Sequence, residues 1–315
     1  MTKSFIFVYL AHGGRQFRKG AVLSISSLLA TGPVPGDIVV FTDRPGDFEG
    51  LPVEIAPLTK ALLKKWKGPY GFTHRVKIEL IRDVLEKYGK SVIFMDSDTF
   101  WTESPAGICR FLDEGFPVLH EREAVLSETY FPEYLAVVRD REKLAGAGLS
   151  PADLKELWVH NAGVIGIPRA MDPDILEQVA RFCDFMSRDV PRLMEWSEQL
   201  AFSYTFHSLG LEIKAADGCV FHYWRDSFEF MRQIGRFSNR MLFDLGRDTE
   251  RIFKLIEVGR STRRSLGNQV LVRTRRLGRS LRKRRRELLV FLDILKLKFP
   301  RDKFHIRKFF AGFRS

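Results

Sequence analysis

The feature that most constrains this chain is the alternation, over its first hundred residues, of short apolar runs with longer segments of helical spacing. Residues 4–10 (SFIFVYL) and 37–43 (DIVVFTD), the latter ending in an acid, and Val92 to Met95 are short apolar runs of the kind that strands buried on both faces show. Between them, Ala21 to Leu29 carries helical apolar spacing, and so do Val76, Leu80, Ile81, Val84 and Leu85 within His74 to Tyr88, where Gly89 is the expected stop. TGPVPG, before the second run, is a loop by its Gly and Pro content. Strand, helix, strand, helix, strand is the rhythm of an α/β sheet with parallel crossovers. Further runs at 116–119, 157–167 and 219–224 predict strands, and the patterns at Ile175 to Met186 and Trp196 to Ser208 predict helices.

The third run ends in Asp96-Ser97-Asp98. An extended chain alternates its side chains and rises ~3.3 Å per residue, so the two carboxylates leave the strand on one side, ~6.6 Å apart. That separation is too wide for a shared proton and suits two acids that reach one divalent cation, or one that binds metal while the other acts on a neighbouring group. Oxygen ligands favour a hard ion such as Mg2+ or Mn2+. Ligands of open α/β sheets bind beyond the carboxyl ends of the strands, where this pair is expected. Taken alone, an Asp-x-Asp is more often a solvated acidic turn.

After that pair come HNAGV (160–164), SEQLAF (197–202) and FHYW (221–224), in that order. The series, over about residues 4–230, resembles nucleotide-sugar glycosyltransferases of the GT-A fold, in particular the group of glycogenin and the lipopolysaccharide galactosyltransferases. The resemblance implies a Rossmann-like mixed sheet flanked by helices. It also implies a metal-dependent hexosyl transfer from a nucleotide diphosphate sugar, UDP-type, to a glycan or lipid-linked glycan, as in cell-envelope polysaccharide synthesis. By this likeness Asp96, Asp98 and His222 hold Mn2+ (or Mg2+) on the donor diphosphate. Asn161, Ala162 and Gly163 lie beside the donor sugar, and Glu198 and Gln199 lie near the anomeric carbon. Lys77, or Arg75, points at the donor phosphates or sugar. Tyr9, Ala11, Asp43 and Ser97 belong to the nucleotide-sugar site. The chain after His222 reads YWRDSFEF, without the family's Gly and Lys-Pro-Trp, so no stereochemical outcome is carried over.

Charge divides the chain. Residues 260–315 hold 19 Lys and Arg against 3 Asp and Glu, which leaves 32 basic and 36 acidic residues before them. The expected organisation is therefore a transferase domain over 1–240, a connecting helix or linker over 241–259, and a basic amphipathic tail over 260–315. The tail, with LRKRRRELLVFLDILKLKF at its centre, suits an anionic bilayer surface, where each nearby Lys or Arg contributes ~1 kcal/mol. Nucleic acid is the less favoured partner of such a stretch. Cys109, Cys183 and Cys219 are odd in number and dispersed, and the apolar start is the first core strand, which together suggest a cytoplasmic protein held peripherally at the inner face of the membrane. Two rival functions stand beside this one. In a haloacid-dehalogenase-type phosphatase Asp96 would be the nucleophile, but such motifs sit on the first strand and carry Thr or Val where this chain has Phe100. The other is a non-catalytic nucleotide-sugar-binding protein.

Overall fold

The computed structural model describes residues 4–128, 132–191, 197–216, 218–223 and 227–264. The chain opens with β1 (Phe5–Ala11), α1 (Arg15–Ala30), β2 (Gly36–Thr42), β3 (Glu54–Pro57), α2 (Lys60–Trp66), α3 (Arg75–Tyr88) and β4 (Ser91–Met95). It continues with β5 (Thr99–Trp101), α4 (Ala106–Asp113), β6 (Val118–Leu119), β7 (Arg122–Val125), α5 (Pro132–Arg139), α6 (Arg141–Gly146), β8 (Trp158–His160) and β9 (Val164–Ile167). The last elements are α7 (Pro173–Asp189), α8 (Ser197–Ser208), β10 (Lys214–Ala215), β11 (Val220–His222), α9 (Ser227–Ile234), α10 (Asn239–Gly246) and α11 (Thr249–Arg264).

Seven strands form one mixed sheet in the order β10-β6-β9-β4-β1-β2-β3. β1 pairs in parallel with β2 and β4, and β2 with β3, as the alternating rhythm predicts. β9 runs antiparallel to both β4 and β6 and makes the sheet mixed. The fold class is therefore the α/β mixed sheet with flanking helices that was expected. Strand alternation sends Phe5, Phe7 and Tyr9 to one face, packed with α1, α9 and α10, and Ile6 and Val8 to the other, packed with α3, α7 and α8. Burial on both faces explains why these strands read as unbroken apolar runs. Each fully buried large apolar side chain contributes ~1.5–3 kcal/mol.

α3 ends where Gly89 takes a left-handed conformation (φ 60°) and its N–H bonds to the Leu85 carbonyl. The run at 157–167 is two strands, not one: β8 pairs with β7 in a separate ribbon, β9 joins the main sheet, and Asn161-Ala162-Gly163 is the link between them. A short antiparallel pair of β5 with β11 was not foreseen at β5; its register sets His222 opposite Thr99, one residue past Asp98.

The chain through Ile256 forms one compact unit, and α10 and the buried Ile252 and Ile256 of α11 belong to its core. A second unit begins at Glu257; only the end of α11 is described within it, and the basic stretch beyond Arg264 lies outside the described residues. No helix among the described residues is long and apolar enough to cross a membrane.

α1 buttresses the turn that carries the aspartates. A Cβ on Gly20 would overlap the Ser97 carbonyl oxygen, a backbone atom with no flexible end to yield. Gly20→Ala is therefore expected to destabilise the protein by about 1–3 kcal/mol, the ordinary cost of overpacking. Urea unfolding measures it, and an unchanged midpoint would refute the tight packing of α1 on this turn.

Candidate active site

β4 ends at Met95, and the Asp96 N–H then bonds to the Gly163 carbonyl at 2.8 Å, which ties the first aspartate to the start of β9. The Thr99 hydroxyl donates to the Asp96 carbonyl at 2.7 Å, and the Tyr223 N–H donates to the Asp98 carbonyl at 3.0 Å. These bonds and the β5–β11 register hold Asp96, Asp98 and His222 together, with one potential ligand atom from each lying within 4.8 Å of the others. His222 Nε2 stands 3.1 Å from Asp98 Oδ1.

The donor set fits a divalent cation. Bonds of ~2.1 Å at right angles place neighbouring ligand atoms ~3 Å apart, close to the His222–Asp98 spacing. The hydrogen bonds of Asn161 sharpen this. Its Oδ1 accepts from the Gly163 N–H at 2.8 Å, and its Nδ2 donates to Glu123 Oε1 at 3.0 Å. A backbone N–H only donates and a carboxylate only accepts, so the orientation of the amide is fixed. His222 Nδ1, 2.9 Å from the same Oδ1, must therefore carry a hydrogen. Nε2 then faces Asp98 with a lone pair, which is repulsive unless a proton or a cation stands between them. The ring reaches this position because residue 163 is glycine: a Cβ there would overlap His222 Nδ1.

Lys77, from the first turn of α3, inserts its ammonium between two carboxylates, 2.7 Å from Asp96 Oδ2 and 3.3 Å from Glu198 Oε1, and 3.5 Å from the Ala162 carbonyl. Glu198 lies in the first turn of α8, where the helix dipole favours an anion. His74 Nδ1 is 3.4 Å from its Oε1. Burial acts to raise the Glu198 pKa, but Lys77 and His74 outweigh it and draw it down to about 2. For Lys77 burial acts downward, and Asp96 and Glu198 overcome it to hold the ammonium above its ordinary value. Burial pushes the Asp96 carboxyl up despite Lys77, whereas for Asp98 burial is outweighed by the bond and charge of His222, which hold it low. Glu198 Oε2 is buried with no hydrogen-bond partner among the described residues.

Gln199 joins the cluster indirectly, through a 2.9 Å bond from its Nε2 to Glu123 Oε2. The Ser97 carbonyl accepts from the Tyr223 hydroxyl at 3.2 Å, behind the aspartates. Asp43 is exposed just past the end of β2, close enough to raise the pKa of His12 against a larger lowering by burial. Three expectations are corrected. The Tyr9 ring is fully buried beneath α1, where Ser24 and Trp101 bond its hydroxyl, so it cannot touch a ligand. The Ala11 side chain is likewise interior, and the end of β1 offers a ligand backbone only. Arg75 turns away from the aspartates to Asp184, Glu79 and the Trp66 carbonyl, because it sits two positions before Lys77 on a different side of α3. Glu123 and His74 were not foreseen as site residues: each meets its partner only through tertiary packing, Glu123 at a separation of 38 residues from Asn161.

No family model matches the chain, and no curated protein matches it. Among solved structures it is similar to the galactosyltransferase LgtC in complex with donor and acceptor sugar analogs, at 12% identity over 76% of this chain and 95% of that one, with a TM-score of 0.46. It is also similar to the glycosyltransferase GlyE of Streptococcus pneumoniae TIGR4, at 9% identity over 76% of this chain and 62% of that one (TM-score 0.46). A third is apo mouse xyloside xylosyltransferase 1, at 13% identity over 74% and 93% of the two chains (TM-score 0.38). Likenesses of this size do not bear on chemistry, which rests on the side chains described above.

The buried ammonium yields a prediction about acid. Breaking a buried ion pair by removing one partner costs about 3–5 kcal/mol, so Lys77→Met is expected to be destabilised by that order at neutral pH. Glu198 has a folded pKa of about 2 against an ordinary 4.5, so its contribution is full above pH 4.5 and is lost as the pH falls towards 2. The stability gap between wild type and Lys77→Met should therefore narrow over that range. Denaturant unfolding at a series of pH values checks it, and a gap independent of pH would show that Lys77 does not act through these carboxylates.

Proposed function

We propose that the chain is a metal-dependent glycosyltransferase of the GT-A type that moves a hexose from a nucleotide diphosphate sugar, UDP-type, to a glycan or lipid-linked glycan. The observation that carries this reading is the convergence of Asp96, Asp98 and His222 at the carboxyl end of β4, beside the Lys77–Glu198 pair. Mn2+ or Mg2+ held by these three residues would neutralise charge growing on the diphosphate as it leaves.

The other residues divide the remaining work. Asp43 and the backbone at the end of β1 lie where the base and ribose would enter, at the carboxyl ends of neighbouring strands. Glu198 Oε2, buried and unpaired, is an acceptor for a sugar hydroxyl. A carboxylate with a pKa of about 2 is a weak base, so Glu198 is better suited to stabilise positive charge at the anomeric carbon than to take a proton from the acceptor. Gln199, Ala162 and Gly163 would lie beside the donor sugar. The Asn161 side chain acts on His222, since its oxygen already accepts two hydrogen bonds. Residues 260–315, by charge alone, would hold the enzyme at the cytoplasmic face of an anionic membrane, where a lipid-linked acceptor resides.

A panel of nucleotide sugars should reveal Mn2+-stimulated release of nucleoside diphosphate, reduced about 100-fold or more in Asp98→Ala, since a lost charge interaction of several kcal/mol has at least that effect. Equal turnover in the variant would remove the metal from the reaction, and release of inorganic phosphate from phosphomonoesters would favour the phosphatase instead. Co-sedimentation with phosphatidylserine-containing vesicles should be lost on deletion of residues beyond Arg260. Undiminished binding would reject the tail as the address.

A further inference from the structure

We propose that Glu123 and Asn161 form a positioning relay that places the proton of His222 on Nδ1, leaves Nε2 as the cation donor, and links the Gln199 amide to the same carboxylate. The proposal rests on the reading of Asp96, Asp98 and His222 as a cation site.

Glu123 lies on β7 and Asn161 directly follows β8, on the two strands of one antiparallel ribbon, where Arg122 is paired with His160. The ribbon is closed onto the site by backbone bonds on both sides of Asn161: its N–H donates to the Glu121 carbonyl at 2.8 Å, and its carbonyl accepts from the His120 N–H at 3.0 Å. The Asn161 backbone therefore has little freedom to move, and the only freedom left to its side chain is which end of the amide faces His222.

Two contacts remove that freedom. Turning the amide over would set its NH2 against the Gly163 N–H and its oxygen against the Glu123 carboxylate, two like-with-like encounters in a buried place. With the amide locked, Oδ1 can only accept from His222, so the imidazole keeps its hydrogen on Nδ1. Partners of this kind orient metal-binding histidines, and their loss typically costs 10–100-fold in metal affinity, about the range expected here. The second oxygen of Glu123 meanwhile holds Gln199 Nε2 at 2.9 Å, so one carboxylate orients an amide on each side. Glutamine at this position could accept from one of the two amides but would present its own NH2 to the other.

The test uses Asn161→Ala and Glu123→Gln in the full chain, with circular dichroism to confirm folding. Two-bond 1H–15N spectra of the metal-free protein, recorded at alkaline pH where the imidazole carries a single hydrogen, should show His222 in wild type with that hydrogen on Nδ1, and in Asn161→Ala with a shift towards Nε2–H. Direct Mn2+ titration should show affinity falling about 10–100-fold in Asn161→Ala. Glu123→Gln should lose less Mn2+ affinity than Asn161→Ala and should raise the donor KM more than it lowers kcat, through Gln199. A wild type with the hydrogen on Nε2, or folded variants that bind Mn2+ as tightly as wild type, would overturn the relay while leaving the cation site standing. A wild type that takes up no Mn2+ would overturn the cation site itself, and the relay with it.

Discussion

The cluster of carboxylates at the end of β4 depends on one buried ammonium. Lys77 touches Asp96 and Glu198, and Asp98 stands near enough to act on it as well, so a single cation on α3 serves three carboxylates, Glu198 buried and the two aspartates half-buried. Buried charge is tolerated only when paired, and an unpaired ion costs several kcal/mol. Lys77 balances one carboxylate fully, or two in part. The remaining excess of negative charge at the end of β4 is what the divalent cation proposed at Asp96, Asp98 and His222 would balance. The same ammonium keeps Glu198 ionised at a depth where burial alone would neutralise it.

The reversed strand β9 makes this gathering possible. A parallel neighbour of β4 would begin at the opposite end of the sheet, but β9 begins where β4 ends, with Val164 paired to Met95. The link that precedes β9 therefore arrives beside Asp96, and with it come Asn161 and Gly163. On the other side of the aspartates the chain turns back as β5 and is met by β11, which delivers His222 from a separation of 124 residues. α3 and α8, packed on the same face of the sheet, contribute Lys77 and Glu198 from above.

The sequence shows those parts of the structure that local chemistry decides. β1, β2 and β4 are legible because burial on both faces leaves an unbroken apolar run at the centre of each, and α3 because its apolar stripe ends in a glycine that suits a left-handed cap. β5 was not legible: Thr99 to Trp101 is three residues long and becomes a strand only because β11 pairs with it. The break in 157–167 is marked by Asn161 and Gly163, but that its halves join different sheets is decided by partners distant in sequence. In the site, the aspartates announce themselves by spacing, and His222, Asn161 and Glu198 by the order of motifs. Tyr9 misled because a tyrosine at a strand end looks like a ligand contact, whereas strand alternation turns this one inward beneath α1, where burial raises its hydroxyl pKa to about 12. Glu123 carried no local mark at all; its role follows from what it is bonded to.

The charge of the site also bears on the sequence of events in the proposed reaction. A donor diphosphate is an anion, and the pocket's own side chains present Asp96, Asp98 and Glu198 around one lysine. Without the divalent ion, the aspartates repel the phosphates that they are proposed to receive. With it, the same residues would become a site for an anion, since a 2+ ion would offset the carboxylates that hold it. The proposed cation would then be a condition for donor entry as well as a support for bond breaking. A relay that fixes the hydrogen on His222 Nδ1 and makes Nε2 the nitrogen that exchanges a proton for the cation would act on the first of these steps, which is how a carboxylate on the β7–β8 ribbon could bear on whether the donor binds.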